Sequence, residues 1–126
     1  MDYNSEFRKS IDRPEEFWRE KAQAIDWIEP PETIWQPTDN SHGQWFPDGT
    51  LNTSDVALDA NIRAGRGEQK ALIYDSPVTG TTESYTYNEL TRAVATFAGA
   101  LQDRGVTKGD RVILYMPMIP EAVIAM

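Results

Sequence analysis

The sequence has 126 residues and a formal net charge of −8 at pH 7, from 20 acidic and 12 basic side chains. This charge argues against a nucleic-acid partner, because phosphate backbones are bound through clustered lysines and arginines. Cysteine is absent and histidine occurs once, which excludes disulfides and disfavours a zinc site. No apolar run approaches the roughly 20 residues that span a bilayer, and the acidic start of the chain resembles neither a signal nor a transit peptide. These features predict a cytoplasmic protein.

The first predicted element is a short amphipathic helix. Asp12 and Glu15 are spaced as in a capping box, with a proline between them that suits a first helical turn. Trp18, Ala22 and Ile25 then recur at helical spacing. We therefore expect a helix that starts after Asp12 and places these three residues on one face.

Residues 30–49 are rich in proline and glycine but also contain Trp35, Trp45 and Phe46. Polar linkers rarely carry large aromatic side chains, so this segment is interpreted as an irregular strap whose rings anchor it to another surface. We refer to it as the aromatic strap. A ligand site formed by Trp45 and Phe46 is the alternative.

The stretch DVALDANIRA predicts a second helix. Asn52, Thr53 or Ser54 could cap its first turn, and Gly65 and Gly67 are expected to end it.

A β-hairpin is predicted next. Residues 71–74 form a short apolar run and residues 84–87 alternate in a way that favours strand, with Pro77 and Gly80 in the turn region between them.

A long amphipathic helix should follow the hairpin. Thr86 and Glu89 form another capping-box pattern, and Gly105 supplies a stop signal. The apolar residues that recur at helical spacing are Leu90, Val94, Phe97 and Leu101.

Residues 112–116 are continuously apolar, which is typical of a parallel strand covered on both faces. An apolar helix is predicted to open at Pro120, and the absence of a capping residue after it leads us to expect that the helix continues in a longer parent. The predicted fold class is therefore α/β, as a partial domain. Its order is N-terminal helix, strap, hairpin, helix, buried parallel strand and truncated helix.

Three features could be mistaken for chemistry. The stretch TGTTES at residues 79–84 could hold phosphate, but it joins two predicted strands and includes an acid, so a hairpin turn is favoured. His42 could be a catalytic histidine, but no serine or cysteine nucleophile motif accompanies it, so a solvated or packed histidine is favoured. The acids Asp26, Glu29 and Glu32 do not fit the spacing of a calcium loop. The residues themselves therefore predict no catalytic constellation.

The stretch KGDRVILYMPMIPEAVIAM closely resembles a signature of the short-chain acyl-CoA synthetases, the acetyl- and propionyl-CoA synthetase group of the AMP-forming adenylate-forming enzymes. Three further stretches agree in order: SIDRPEEFWREKAQAIDW, WFPDGTLN and ALIYDSPVTGTTESYTYNEL. The first and third of these are closer to the propionyl-CoA branch. One departure is that family members often have Asp-Arg-His after the LN segment, whereas Asp59 is followed here by Ala60 and Asn61.

The resemblance implies that residues 1–126 are the N-terminal portion of the large adenylate-forming domain. Residues 1–50 would be the helix and strap, and residues 51–126 the start of the α/β core. In this family a short carboxylate reacts with ATP to give an acyl adenylate and pyrophosphate, and CoA then displaces AMP, with magnesium neutralising phosphate charge.

The family's motifs for these steps lie downstream, so the resemblance assigns no catalytic, cofactor-binding or metal residue within this chain. ATP, magnesium and CoA are implied for the parent only, and the isolated chain is expected to be inactive and to self-associate. Its expected partner is the remainder of the parent, with no nucleic acid and no membrane. A non-enzymatic, acidic α/β protein-interaction module is the alternative.

Overall fold

The computed structural model describes residues 2–39 and 42–126. The chain divides into two compact units, residues 1–56 and 57–126. The first unit contains α1 (Tyr3–Asp12), α2 (Pro14–Ala22), β1 (Trp35–Gln36) and β2 (Gln44–Trp45). Two π-helical segments, Asp55–Asp59 and Ile62–Arg66, span the boundary and the start of the second unit, followed by β3 (Lys70–Ser76), β4 (Thr81–Thr86), α3 (Tyr87–Asp103) and α4 (Pro120–Ala125).

The N-terminal region forms two helices where the sequence predicted one. The capping box expected at Asp12 and Glu15 does not form, because Asp12 is the last residue of α1 and Arg13 is the N-cap of α2, without a side-chain cap bond. Pro14 explains the break. A proline disfavours helical geometry in the residue before it, and Arg13 accordingly has φ −138° and ψ 61°.

Ion pairs join the two N-terminal helices. Lys9 on α1 contacts Glu20 on α2, and the Lys21 Nζ lies 2.8 Å from a Glu6 carboxylate oxygen. Helix α2 ends at Ala22, which is buried, so the predicted helical face does not extend to Ile25. The Ile25 N–H donates to the Ala22 carbonyl in the turn that follows the helix.

The helix predicted at the start of the second unit is present as the two π-helical segments. Of the three candidate caps, Asn52 performs the role, because its Oδ1 accepts hydrogen bonds from the Ser54 and Asp55 N–H groups at 3.0 and 3.3 Å. Gly65 interrupts the second segment with φ 79°.

The hairpin and the long helix are confirmed. β3 and β4 pair antiparallel from Lys70 opposite Thr86 to Ser76 opposite Thr81. The capping box is complete, since the Thr86 hydroxyl accepts from the Glu89 N–H and the Glu89 carboxylate accepts from the Thr86 N–H. Leu90 is buried, and the three other apolar residues of the predicted face are half-buried.

The strand predicted at residues 112–116 is wrong. No strand is formed there, and within the described residues both sheets have only two strands, β1 with β2 and β3 with β4. A strand requires a neighbour to accept and donate its backbone hydrogen bonds, and the described residues provide none for this segment. The broader prediction of an α/β partial domain is confirmed, with helices and small antiparallel sheets. Among the described residues, no helix has the length and apolar character needed to cross a membrane.

Candidate functional site

Six aromatic rings of the first unit form one cluster, in which Phe17 meets Trp18 edge-on at 5.0 Å. Trp35 and Trp45 lie opposite each other in the β1–β2 pair, with ring centroids 4.7 Å apart and planes inclined at 57°. Trp18 from α2 meets Trp45 edge-on at 5.7 Å. Phe46 contacts Trp45 at 5.9 Å and Trp27 at 5.5 Å. The prediction that the strap's rings anchor it to another surface is therefore confirmed, with α2 supplying part of that surface.

The backbone around β2 places these rings. Gly43 has φ +59°, and the Trp35 ring lies so close over it that a Cβ built at Gly43 would be 1.8 Å from Trp35 Cζ2. Phe46 has φ 47°, a left-handed conformation that is costly for a residue with a side chain. The Phe46 N–H donates to the carbonyl of Ile34 at 3.0 Å, and Ile34 is only 1% exposed. The strained backbone is thus held by a buried anchor.

A groove of about 360 Å³ opens beside the cluster. We name it the Trp groove, and its lining residues are Pro14, Glu15, Ile34, Trp35 and Trp45. Trp35 and Trp45 remain 39% and 49% exposed, so their rings are accessible from solvent. One Glu15 carboxylate oxygen accepts a hydrogen bond from Arg19 at 2.9 Å. The groove is therefore lined by two partly exposed tryptophans and by a residue that carries a carboxylate.

Asp48 joins the two ends of the aromatic strap. Its carboxylate accepts hydrogen bonds from the Glu32 N–H at 3.2 Å and the Thr33 N–H at 3.1 Å. Partial desolvation raises the pKa of Asp48, but the backbone hydrogen bonds from Thr33, from its own N–H and from Glu32 outweigh it and leave the pKa lowered. The sequence analysis did not identify this contact; the signal that points to it is Pro-Asp-Gly at residues 47–49, a combination that favours turns.

The TGTTES stretch forms the turn and the first part of β4, as the sequence predicted. The Gly80 N–H donates to the Ser76 carbonyl at 2.8 Å, and the Thr79 N–H donates to the Ser76 hydroxyl at 3.3 Å. The Thr79 and Thr81 hydroxyls bond to each other, and the Thr82 hydroxyl donates to Asp75. We name the three threonines Thr79, Thr81 and Thr82 the hairpin tip. Its donors are engaged internally beside a carboxylate, which does not suit a triphosphate.

The other chemical candidates are dispersed. Glu29 exchanges backbone hydrogen bonds with Thr50 at 3.1 and 2.9 Å, and His42 is exposed two residues before β2. Within residues 2–39 and 42–126, no group of three or more histidines and carboxylates could hold a metal ion. The acids singled out in the sequence, Asp26, Glu29 and Glu32, therefore provide no magnesium or calcium site in the part of the chain that the structure describes.

An exposed apolar segment occupies residues 112–118 of the second unit. Ile113 is 90% exposed and Tyr115 is fully exposed, and Met118 is also largely in water. Isolated exposed apolar side chains are ordinary, but a contiguous series of them marks an interaction surface. This segment is thus the second candidate site of the molecule.

Two family models match the chain in tandem. Residues 3–57 match the model described as acetyl-coenzyme A synthetase N-terminus, and residues 59–126 match the model described as AMP-binding enzyme. The chain belongs to the AMP-binding enzyme family. The predicted resemblance to the short-chain acyl-CoA synthetases is therefore confirmed.

Individual relatives agree with this assignment. Acetyl-coenzyme A synthetase 1 of Pseudomonas aeruginosa is 44% identical over 98% of this chain, and the mitochondrial acyl-CoA synthetase short-chain family member 3 of Bos taurus is 43% identical over 99%. An uncharacterized protein of Pseudomonas aeruginosa is 50% identical over the whole chain. The chain spans about a fifth of the length of these relatives, which is 19%, 18% and 20% respectively.

Proposed function

We propose that this chain is the N-terminal portion of an AMP-forming short-chain acyl-CoA synthetase. The parent would convert a short carboxylate, ATP and CoA into acyl-CoA, AMP and pyrophosphate through an acyl adenylate. The observation that carries the proposal is the tandem match, which runs from residue 3 to residue 126 with only residue 58 unmatched. A non-enzymatic interaction module, the alternative from the sequence, receives less support because the chain belongs to an enzyme family.

Within the parent, these residues would act as scaffold, and the isolated chain would be inactive. The hairpin tip does not suit a triphosphate, and the described residues offer no cluster for magnesium. The groups that bind ATP, magnesium and CoA would accordingly belong to the remainder of the parent. That remainder would also cover the exposed apolar segment, since burying Ile113 and Tyr115 removes large apolar surfaces from water.

Acetate and propionate are the proposed substrates, with propionate ahead of acetate, and the parent would work in the cytoplasm. The support for propionate comes from two sequence stretches, at residues 10–27 and 71–90, that are closer to the propionyl-CoA branch. Substrate choice within the parent cannot depend on these residues directly if they are scaffold, so they serve as a marker of the branch.

The test is to assay the product of the complete reading frame for acetate- and propionate-dependent ATP–pyrophosphate exchange, alongside the 126-residue chain. We expect exchange with the complete product, a higher specificity constant for propionate, and no exchange above buffer with the 126-residue chain. A reading frame that encodes no more than these residues, with no exchange, would refute the synthetase proposal. A preference for long-chain acids would refute only the branch.

A further inference from the structure

We infer that the Trp groove binds an arginine side chain presented by an extended segment of a partner protein. This inference does not depend on the proposed enzymatic function. It rests on the partly exposed side chains of Trp35 and Trp45, on Glu15 among the lining residues of the groove, and on the unequal division of charge along the chain.

Most of the net charge of the molecule lies in the unit that contains the groove. Residues 1–56 contain 12 acidic and five basic side chains, for a net charge of −7, whereas residues 57–126 contain eight acidic and seven basic side chains, for a net charge of −1. Four of the five basic side chains in the first unit are already in ion pairs with glutamates: Lys9, Arg13, Arg19 and Lys21. The first unit therefore favours a cationic ligand over a neutral or anionic one.

The groove matches the chemistry of a guanidinium group. Aromatic faces attract a cation placed within about 6 Å of the ring centroid, and tryptophan does so best. The same unit already shows this geometry, since the Lys21 Nζ lies 5.1 Å from the Phe17 ring centroid. Arginine is favoured over lysine because its planar group stacks on rings and is weakly hydrated. Glu15 offers a second attraction, because only one of its oxygens is the acceptor of the Arg19 hydrogen bond.

The aromatic and apolar lining of the groove favours an extended segment as the carrier of that arginine. Pro14 and Ile34 add apolar lining to the groove. Aromatic-lined surface grooves of this type accept extended, proline-containing segments, which lose little conformational entropy on binding.

The binding test uses the 126-residue chain and two capped pentapeptides. One has a central arginine between two prolines, and the other has citrulline, which is neutral and nearly isosteric, in place of the arginine. Indole N–H resonances are followed by NMR during titration. We expect saturable shifts of the Trp35 and Trp45 indoles with the arginine peptide and at least about tenfold weaker binding of the citrulline peptide, equivalent to about 1.4 kcal/mol.

Matched variants separate the contributions. Trp35→Leu keeps an apolar side chain but removes the aromatic face, so it should weaken binding of the arginine peptide about tenfold, whereas Trp35→Phe should retain most of it. Glu15→Gln should weaken binding about threefold. Glu32→Gln, which removes the same charge from the same unit but outside the groove lining, should change it much less. Thermal unfolding of each variant checks that the unit is still folded.

Several results would overturn the inference. Equal affinity for the arginine and citrulline peptides would mean that the groove binds the peptide through apolar contacts and does not discriminate by charge. Unchanged affinity in Trp35→Leu would mean that the aromatic faces are not used, and equal effects of Glu15→Gln and Glu32→Gln would mean that only the general field attracts the peptide. An absence of saturable shifts up to about 10 mM peptide, which corresponds to less than about 3 kcal/mol of binding, would also refute it.

Discussion

Replacing Gly43 with alanine should disrupt the Trp groove by two separable effects. The first is backbone strain, because Gly43 has φ +59°, where a side chain costs about 1–2 kcal/mol. The second is steric. The new Cβ would lie 1.8, 2.1 and 2.6 Å from three atoms of the Trp35 ring, so the ring must move away and lose its contact with Trp45. An aromatic pair of this kind contributes about 0.5–1.5 kcal/mol beyond the burial of area.

Gly80→Ala is the matched control. Gly80 has φ +66°, and a Cβ built there meets nothing within 4 Å. This variant therefore introduces the backbone strain without the steric clash. Urea unfolding followed by tryptophan fluorescence should show a loss of about 1.5–3.5 kcal/mol for Gly43→Ala. Far-ultraviolet circular dichroism, dominated by the helices and including α3 packed against the hairpin, should show about 1–2 kcal/mol for Gly80→Ala. Near-ultraviolet dichroism of the tryptophans should change only in Gly43→Ala. Identical near-ultraviolet spectra for wild type and Gly43→Ala would refute the ring-over-glycine packing.

Three further outcomes are expected. Thr86→Ala should lower the free energy of unfolding by about 1 kcal/mol by removing the cap of α3, whereas Thr96→Ala in mid-helix should not. The hydrogen bonds from the Thr86 backbone and then from its side chain lower the pKa of Glu89 from 4.5, so this stabilisation is present above that pH and is lost as the pH falls through the folded-state pKa. A urea series from pH 7 to 3 in which wild type and Glu89→Gln, which cannot titrate at this position, lose stability in parallel would contradict this pH dependence. Ile113→Lys with Tyr115→Lys should convert a self-associating chain to a monomer in light scattering; a wild-type chain that is already monomeric at micromolar concentration would contradict this. Alanine at all three positions of the hairpin tip should leave the ATP affinity of the proposed parent synthetase within about threefold, and a tenfold loss would require a direct phosphate contact.

The elements that the sequence predicted correctly are those determined by local signals. Helix α3 carries its cap, its apolar spacing and its stop within one continuous stretch, and the hairpin has its turn residues between two strand-forming runs. Helix α1 was missed even though Asp2 caps it by accepting from the Asn4 N–H, because the capping pattern at Asp12 suggested a later start. The effect of Pro14 on the residue before it decided between the two patterns.

The Trp groove could not be predicted in full because its parts are distant in sequence. The aromatic strap was predicted to be anchored by its rings, but the register that sets Trp35 opposite Trp45 depends on the Gly43 backbone. The contribution of Pro14 and Glu15 depends on where α2 packs. Periodicity within one segment contains no information about such contacts, which arise only when the chain is folded.

The apolar segment at residues 112–118 is a second case in which the structure depends on contacts that are not local in sequence. Its composition predicts a covered strand, yet Ile113 is 90% and Tyr115 100% exposed. Covering each such side chain would contribute about 1.5–3 kcal/mol, so the two together correspond to a large part of the about 5–15 kcal/mol that stabilises a typical domain. A surface that supplied both a strand edge and an apolar cover would satisfy the backbone and the side chains at once. The first unit packs its rings against its own helix, whereas Ile113 and Tyr115 of the second unit remain in water, so it is the second unit that has large apolar surface left to cover.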